Sequence, residues 1–232
     1  MVEVVGEAPE IEVKPEEQLQ ELHYFTSAVY TIKKPEFQKV ASIVSHELLN
    51  KVKKEQKLDE IYPIYQTENF ANDPRLKDFT TYIAATGWNI LSHQGYAMES
   101  FYVTVNEMWC QEHHKFSGQE EHLHGLGSQI SGFYFLDCPE NSTRPVIYDP
   151  RQAKKYANLY ERDMTKATYA SLAINFAPEP GMFMFMNSWL PHSFPKNASD
   201  QPFRFIHFNL GISYNPNAVI NEPTPPAPAE VV

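Results

Sequence analysis

Residues 182–212 read MFMFMNSWLPHSFPKNASDQPFRFIHFNLGI, and this stretch decides the fold class. Met182–Met186 and Phe203–Ile212 are runs of large apolar and aromatic residues, separated by a segment rich in Ser, Asn, Asp and Pro. Short aromatic runs bounded by turn residues read as strands. The same signature recurs at Phe101–Trp109, Ser128–Leu136, Pro145–Tyr148 and Thr168–Phe176, with turns at Asn141-Ser142 and Pro178-Glu179-Pro180-Gly181. Such a succession predicts a mainly β sandwich or barrel with helices packed outside one sheet.

The helices come first. From Pro35 to about Gln56, Phe37, Val40, Val44, Leu48 and Val52 recur at threes and fours and predict one buried stripe. A second helix is expected over about 74–93, with Asp73 as N-cap, Pro74 in the first turn and Gly95 beyond its end. Residues 1 to about 20 are Glu-rich without apolar periodicity, so a disordered lead-in is expected there. The tail 215–232, ending NEPTPPAPAEVV, is expected to be extended and disordered. Residues 21–214 are left for a single domain.

The 232 residues include 15 Phe, 13 Tyr and 3 Trp, ample for a substantial core. A net charge of −10 repels a phosphate backbone, and no Lys or Arg run offsets it, so no nucleic-acid partner is expected. Two cysteines, Cys110 and Cys138, suit free thiols in a reducing compartment. MVEVVGEAPE is not a signal peptide and no stretch reaches a membrane span, which predicts a cytoplasmic protein. A homodimer is the commonest assembly for such a chain.

Three of nine histidines have informative neighbours. His122 and His124 form an H-x-H; on an extended backbone both imidazoles face one side, with Cα atoms about 6.6 Å apart. His192 follows 68 residues later in NSWLPHSFP, and with them makes three corners of an open metal site. An isolated H-x-H is also common on a solvated turn, and Cys110, His113, His122 and His124 could instead hold structural zinc, though their spacing fits no standard finger. His113 and His114, in QEHHKFSG, are expected in a solvated loop. Glu120 shares the parity of His122 and His124 and could supply a carboxylate. His207 alternates away from Arg204 and should face the opposite side of their strand.

In order, EEHLHGLGSQISGFYFLDCPENSTRPVIYDPR and PEPGMFMFMNSWLPHSFPKNASDQPFRFIHFNL resemble a family of 2-oxoglutarate- and iron(II)-dependent oxygenases found in marine bacteria and bacteriophages. The resemblance runs through Ser131-Gly132, Phe133-Tyr134-Phe135-Leu136, Asp149-Pro150-Arg151, Pro180-Gly181, Trp189-Leu190-Pro191-His192 and Arg204 with Phe208-Asn209. It implies a double-stranded β-helix, or jelly roll. It also implies iron(II) held by His122 and His192, with His124 where the wider superfamily has Asp or Glu. By resemblance Arg204 grips the distal carboxylate of 2-oxoglutarate, and Ser131 offers it a hydroxyl. The implied reaction is hydroxylation of a small molecule or peptide with dioxygen, releasing succinate and carbon dioxide. The alternatives are a cupin-like three-histidine enzyme without 2-oxoglutarate and a non-enzymatic jelly-roll module.

Overall fold

The computed structural model describes residues 23–156 and 159–216; the expected lead-in and the tail beyond residue 216 lie outside them. Among the described residues, ten strands form two antiparallel sheets. The larger sheet holds β1 (Val29–Lys33), β2 (Ile64–Gln66), β3 (Phe101–His113), β5 (Ser128–Asp137), β8 (Met182–Asn187) and β10 (Phe203–Tyr214), in the order β1-β8-β5-β10-β3-β2. The smaller sheet orders β4 (Gln119–His122), β9 (His192–Phe194), β6 (Val146–Tyr148) and β7 (Ala173–Asn175) as β4-β9-β6-β7. The fold is mainly β, with a jelly-roll core and two helices near its start.

Both helices open on a 3-10 turn that begins with proline. Pro35–Phe37 leads into α1 (Gln38–Glu55), and Pro74–Leu76 into α2 (Lys77–His93). The fixed φ of proline suits a first turn, and the Asp73 carboxylate accepts the Arg75 N–H at 3.0 Å. Gly95, at φ +92°, closes α2 in the left-handed region, where a side chain would be strained.

The larger sheet is buried on both faces. Ala41, Val44, Leu49, Phe79, Ile83 and Ile90 of the helices pack on Met108, Cys110, Tyr134, Phe183, Phe185, Ile206, Phe208 and Leu210. On the other face Phe133, Phe135, Met184, Met186, Phe203 and Phe205 meet Ile147, Leu190 and Phe194. A strand buried on both sides reads as a continuous apolar run rather than an alternating one, which explains MFMFM and FYFL. Gly132, central in β5, fits this packing because a Cβ there would strike the Phe208 ring and the Met184 carbonyl.

Four strands lie outside the sequence expectation: β1, β2, β4 and β9. β2, β4 and β9 are three or four residues long, and β4 reads QEEH, so propensity and periodicity carry little signal there. Conversely, the strand expected over Thr168–Phe176 is confined to Ala173–Asn175.

Candidate metal centre

His122 ends β4 and His192 begins β9, and the two are register partners across these antiparallel strands. His124 follows in the turn after β4, where its N–H donates to the Ser188 carbonyl at 2.9 Å. One ring nitrogen from each histidine lies within 4.8 Å of the other two, and no further group of this kind occurs among the described residues. The ring centroids of His122 and His192 are 4.4 Å apart, and those of His124 and His192 5.1 Å.

Two of the rings are oriented by main-chain acceptors. His122 Nδ1 is 2.8 Å from the Glu120 carbonyl and His192 Nδ1 is 3.1 Å from that of Leu190. A carbonyl only accepts, so each Nδ1 carries a proton and Nε2 is the nitrogen left to ligate. Nε2 of His124 and of His192 is buried without a hydrogen-bond partner. Burial pushes His192 down to about 3 and His124 to about 4, with neighbouring imidazoles adding to both. Converging imidazoles, with His124 and His192 held neutral by burial, fit a divalent transition metal.

The pH dependence of the metal-free protein follows. Burial also lowers His113, to about 3, and takes His207 well below its ordinary value. All four gain protons more readily when unfolded, so the unfolded chain binds more protons and stability falls with falling pH. The loss begins near the unfolded histidine value of about 6.5 and runs down through the folded values of about 4 and about 3. Urea midpoints measured from pH 8 to pH 4 are expected to fall steadily below pH 6.5; a flat profile would contradict it.

The larger sheet supplies the facing wall. The His207 ring lies 4.5 Å from His124, 4.4 Å from Trp109 and 5.0 Å from Phe133. Asn209 stands beside it: its Oδ1 accepts from Ser131 Oγ at 2.6 Å and lies 3.2 Å from His207 Nε2, while its Nδ2 donates to Glu107 at 3.0 Å. Asn209 Nδ2 reaches His124 Nδ1 only at 3.5 Å, the long limit of a hydrogen bond. Ser131 is thus brought near the triad, with its proton already given to Asn209.

Arg204 is not brought there. Phe203, Phe205, His207 and Asn209 point between the sheets, whereas Arg204, Ile206, Phe208 and Leu210 point toward the helices. The Arg204 guanidinium donates to Glu112 at 2.5 Å and to Asp137 at 3.0 Å, and Lys53 of α1 shares the Glu112 carboxylate. Arg204 thus takes the face of β10 opposite the triad. His207 does face away from Arg204, but the side it takes is that of the triad. The Glu120 carboxylate accepts from Tyr62 at 3.2 Å, so only its carbonyl serves the site. Cys110 lies in the helix-facing core and takes no part in a zinc cluster. His113 and His114 are not solvated: His113 is fully buried against Phe194 and Phe205, and His114 is partly buried and bonds Glu112 at 2.7 Å. Trp109, His207 and Asn209 were missed, although strand alternation links His207 and Asn209 to Phe203 and Phe205.

Residues 107–209, which contain the triad and its facing wall, match the model of the family described as "Putative 2OG-Fe(II) oxygenase". This part of the chain is a 2OG-Fe(II) oxygenase domain. Among curated proteins none matches it in sequence. Solved structures similar to this oxygenase include AviO1 from Streptomyces viridochromogenes Tue57, with a TM-score of 0.55 at 13% identity over 87% of this chain and 93% of that one. A Pseudomonas putida prolyl-4-hydroxylase aligns with a TM-score of 0.54 at 9% identity, over 80% and 93%. The carbocyclase SnoK from nogalamycin biosynthesis gives 0.57 at 13%, over 82% and 83%. At such identities these likenesses establish the oxygenase fold. The oxygenase uses Fe(II) with 2-oxoglutarate, and acts on a substrate with dioxygen. No helix among the described residues is long and apolar enough to cross a membrane.

Proposed function

We propose that His122, His124 and His192 hold the iron(II) of this oxygenase, which hydroxylates a C–H bond of a small molecule or peptide. The observation that carries it is the convergence of three imidazoles, two with buried, unpartnered Nε2 atoms. With iron and 2-oxoglutarate bound, dioxygen chemistry turns the C–H bond into C–OH and 2-oxoglutarate into succinate and carbon dioxide. The chain holds the rings: the Glu120 and Leu190 carbonyls fix His122 and His192, and the His124 main chain is tied to Ser188. Burial keeps His124 and His192 neutral and ready to ligate. Phe133, Phe194 and Phe205 pack beside His192 and exclude water from that side.

Substrate access is proposed from the rim. A cavity of about 470 Å³ is lined by Tyr24, Tyr148, Arg151 and Tyr169 and reaches the core residues Ile147 and Leu190. Ile147 is the register partner of His192, so this cavity abuts the strand carrying a ligand. Its mixed aromatic and polar lining suits a small molecule or a peptide side chain, and the net charge of −10 disfavours nucleic acid. Both cysteines are free, in keeping with a reducing, cytoplasmic setting.

Anaerobic addition of iron(II) and 2-oxoglutarate is expected to produce a weak visible charge-transfer band, and admission of oxygen to yield succinate. Iron binding without a band or succinate would favour the cupin-like chemistry. Failure to bind iron would refute the assignment of the triad.

A further inference from the structure

We propose that residues 1–22 dock across the connection between β6 and β7 and cover the mouth of the cavity that abuts the His192 strand. The docking stands apart from the iron reading, whereas its bearing on catalysis rests on that cavity being the way in for substrate.

The connection is anchored at the cavity rim and exposed beyond it. It leaves β6 at Asp149 and returns at Leu172, where the Asp149 N–H donates to the Leu172 carbonyl at 2.9 Å. The Lys154 ammonium ties the same rim to the Ser171 carbonyl at 2.8 Å. Among the described residues between these points Tyr156, Leu159, Tyr160, Met164 and Tyr169 are exposed, Leu159 at 87% and Met164 at 86%. Tyr24 and Phe25, which also line the cavity, are exposed too, Phe25 at 98%. Single exposed apolar side chains are ordinary. Seven of them, in two segments that both line one cavity, mark a surface that is covered in use.

Charge identifies the cover. The chain as a whole is at −10, yet residues 149–172 carry five Lys and Arg against three Asp and Glu. Residues 1–22 carry seven Glu and one Lys. A basic stretch attracts this acidic segment even in a protein whose net charge repels acidic partners. Within the fold, Lys155 meets Glu121 only at 3.5 Å and Lys166 meets Asp163 at 3.3 Å, and such surface pairs hold little and exchange readily. Ile11, Val13, Leu19 and Leu22, set among the glutamates, offer apolar side chains to the exposed rings.

Position points to the same segment. Residue 22 leads into His23, whose ring stacks on Tyr169 at 5.8 Å and whose Nδ1 lies 3.2 Å from the Tyr169 hydroxyl. The acidic segment therefore joins the described fold at the connection itself. At about 3.4 Å per extended residue, Glu21 and Glu17 lie within about 7 and about 20 Å of His23. So short a tether holds the glutamates at roughly millimolar effective concentration, where weak contacts suffice. The Pro-rich tail is the poorer occupant. It departs beyond Tyr214, which pairs with Phe101 of β3, and β8 and β5 separate β10 from β1. Residues 217–232 also offer only two Glu.

Zero-length carbodiimide cross-linking of the full chain tests the docking. Isotopically light and heavy protein are mixed in equal amounts, cross-linked and mapped by peptide mass. Links from Glu12, Glu16, Glu17 or Glu21 to Lys154, Lys155 or Lys166 are expected within one isotope label, beside the Lys155–Glu121 link that the fold itself supplies. Mixed-label links would give the surface to a second copy, and links from Glu222 or Glu230 would give it to the tail. The Lys155–Glu121 link alone would leave the surface to another partner. Each of these three results overturns the proposal. Tyrosine nitration is the second readout. Glu12→Lys, Glu16→Lys, Glu17→Lys and Glu21→Lys together are expected to speed nitration of Tyr24, Tyr156, Tyr160 and Tyr169 about tenfold, the combined loss of four weak surface pairs, with Tyr102 of β3 unchanged. Equal rates in the two proteins would overturn it as well. Neither readout involves the metal, so a failure to bind iron would refute the triad and leave the docking standing.

Discussion

His192→Ala is expected to lose stoichiometric iron(II) and, with it, all succinate formation. His192 is fully buried, its ring is oriented by the Leu190 carbonyl, and its Nε2 has no protein partner. Removing the ring leaves His122 and His124, which come from one strand end and its turn and cannot enclose an ion from two sides. Outer-shell losses at metal sites cost about 10–100-fold in affinity, so loss of a ligand itself is expected to exceed about 100-fold. Metal-free stability is expected to change less than deletion of a buried ring would suggest, because the variant also removes a buried nitrogen without a partner. His124→Asp is the informative companion: it installs a carboxylate beside two imidazoles and is expected to retain iron. Colorimetric iron counts on anaerobically loaded, desalted protein check both, and full occupancy in His192→Ala would refute the triad.

Glu112→Ala is expected to destabilise the fold by about 3–5 kcal/mol, the range for removing one partner of a buried ion pair. The Glu112 side chain is 1% exposed and meets Lys53 at 2.7 Å, His114 at 2.7 Å and Arg204 at 2.5 Å. Burial alone would raise its pKa, but those three hydrogen bonds outweigh it and hold the carboxyl down at about 2. Its removal strands the Arg204 guanidinium between α1 and the larger sheet with only Asp137 left. The network is a clamp between layers: Lys53 belongs to α1, Glu112 to β3 and Arg204 to β10. Urea denaturation checks the magnitude, and a change below about 1 kcal/mol would show the clamp to be dispensable.

The fold class was legible because two-sided burial of the larger sheet demands long apolar runs, and nothing else in the chain produces FYFL and MFMFM. The smaller sheet was not, since three-residue strands held by His and Ser carry no period to read. The triad showed through the H-x-H parity together with the motif order around His192. The face taken by Arg204 was not legible, for a definite reason. Strand alternation says which residues share a face, and it separated Arg204 from His207 correctly. It does not say which face is inside, and with aromatic residues on both faces of β10 hydrophobicity gives no vote. His113 was misplaced similarly: its polar neighbours suggested a loop, yet β3 runs on through it and buries it against Phe194 and Phe205.

His122 and His192 face one another across a strand pair whose partners are 70 residues apart in the chain. Closing so long a loop is slow, and its entropy must be met before any contact between those strands is gained. An ion on the triad is expected to find all three ligands only once β4 and β9 are paired. Its stabilisation is then expected to slow unfolding more than it speeds folding, which unfolding and refolding rates with and without metal would check.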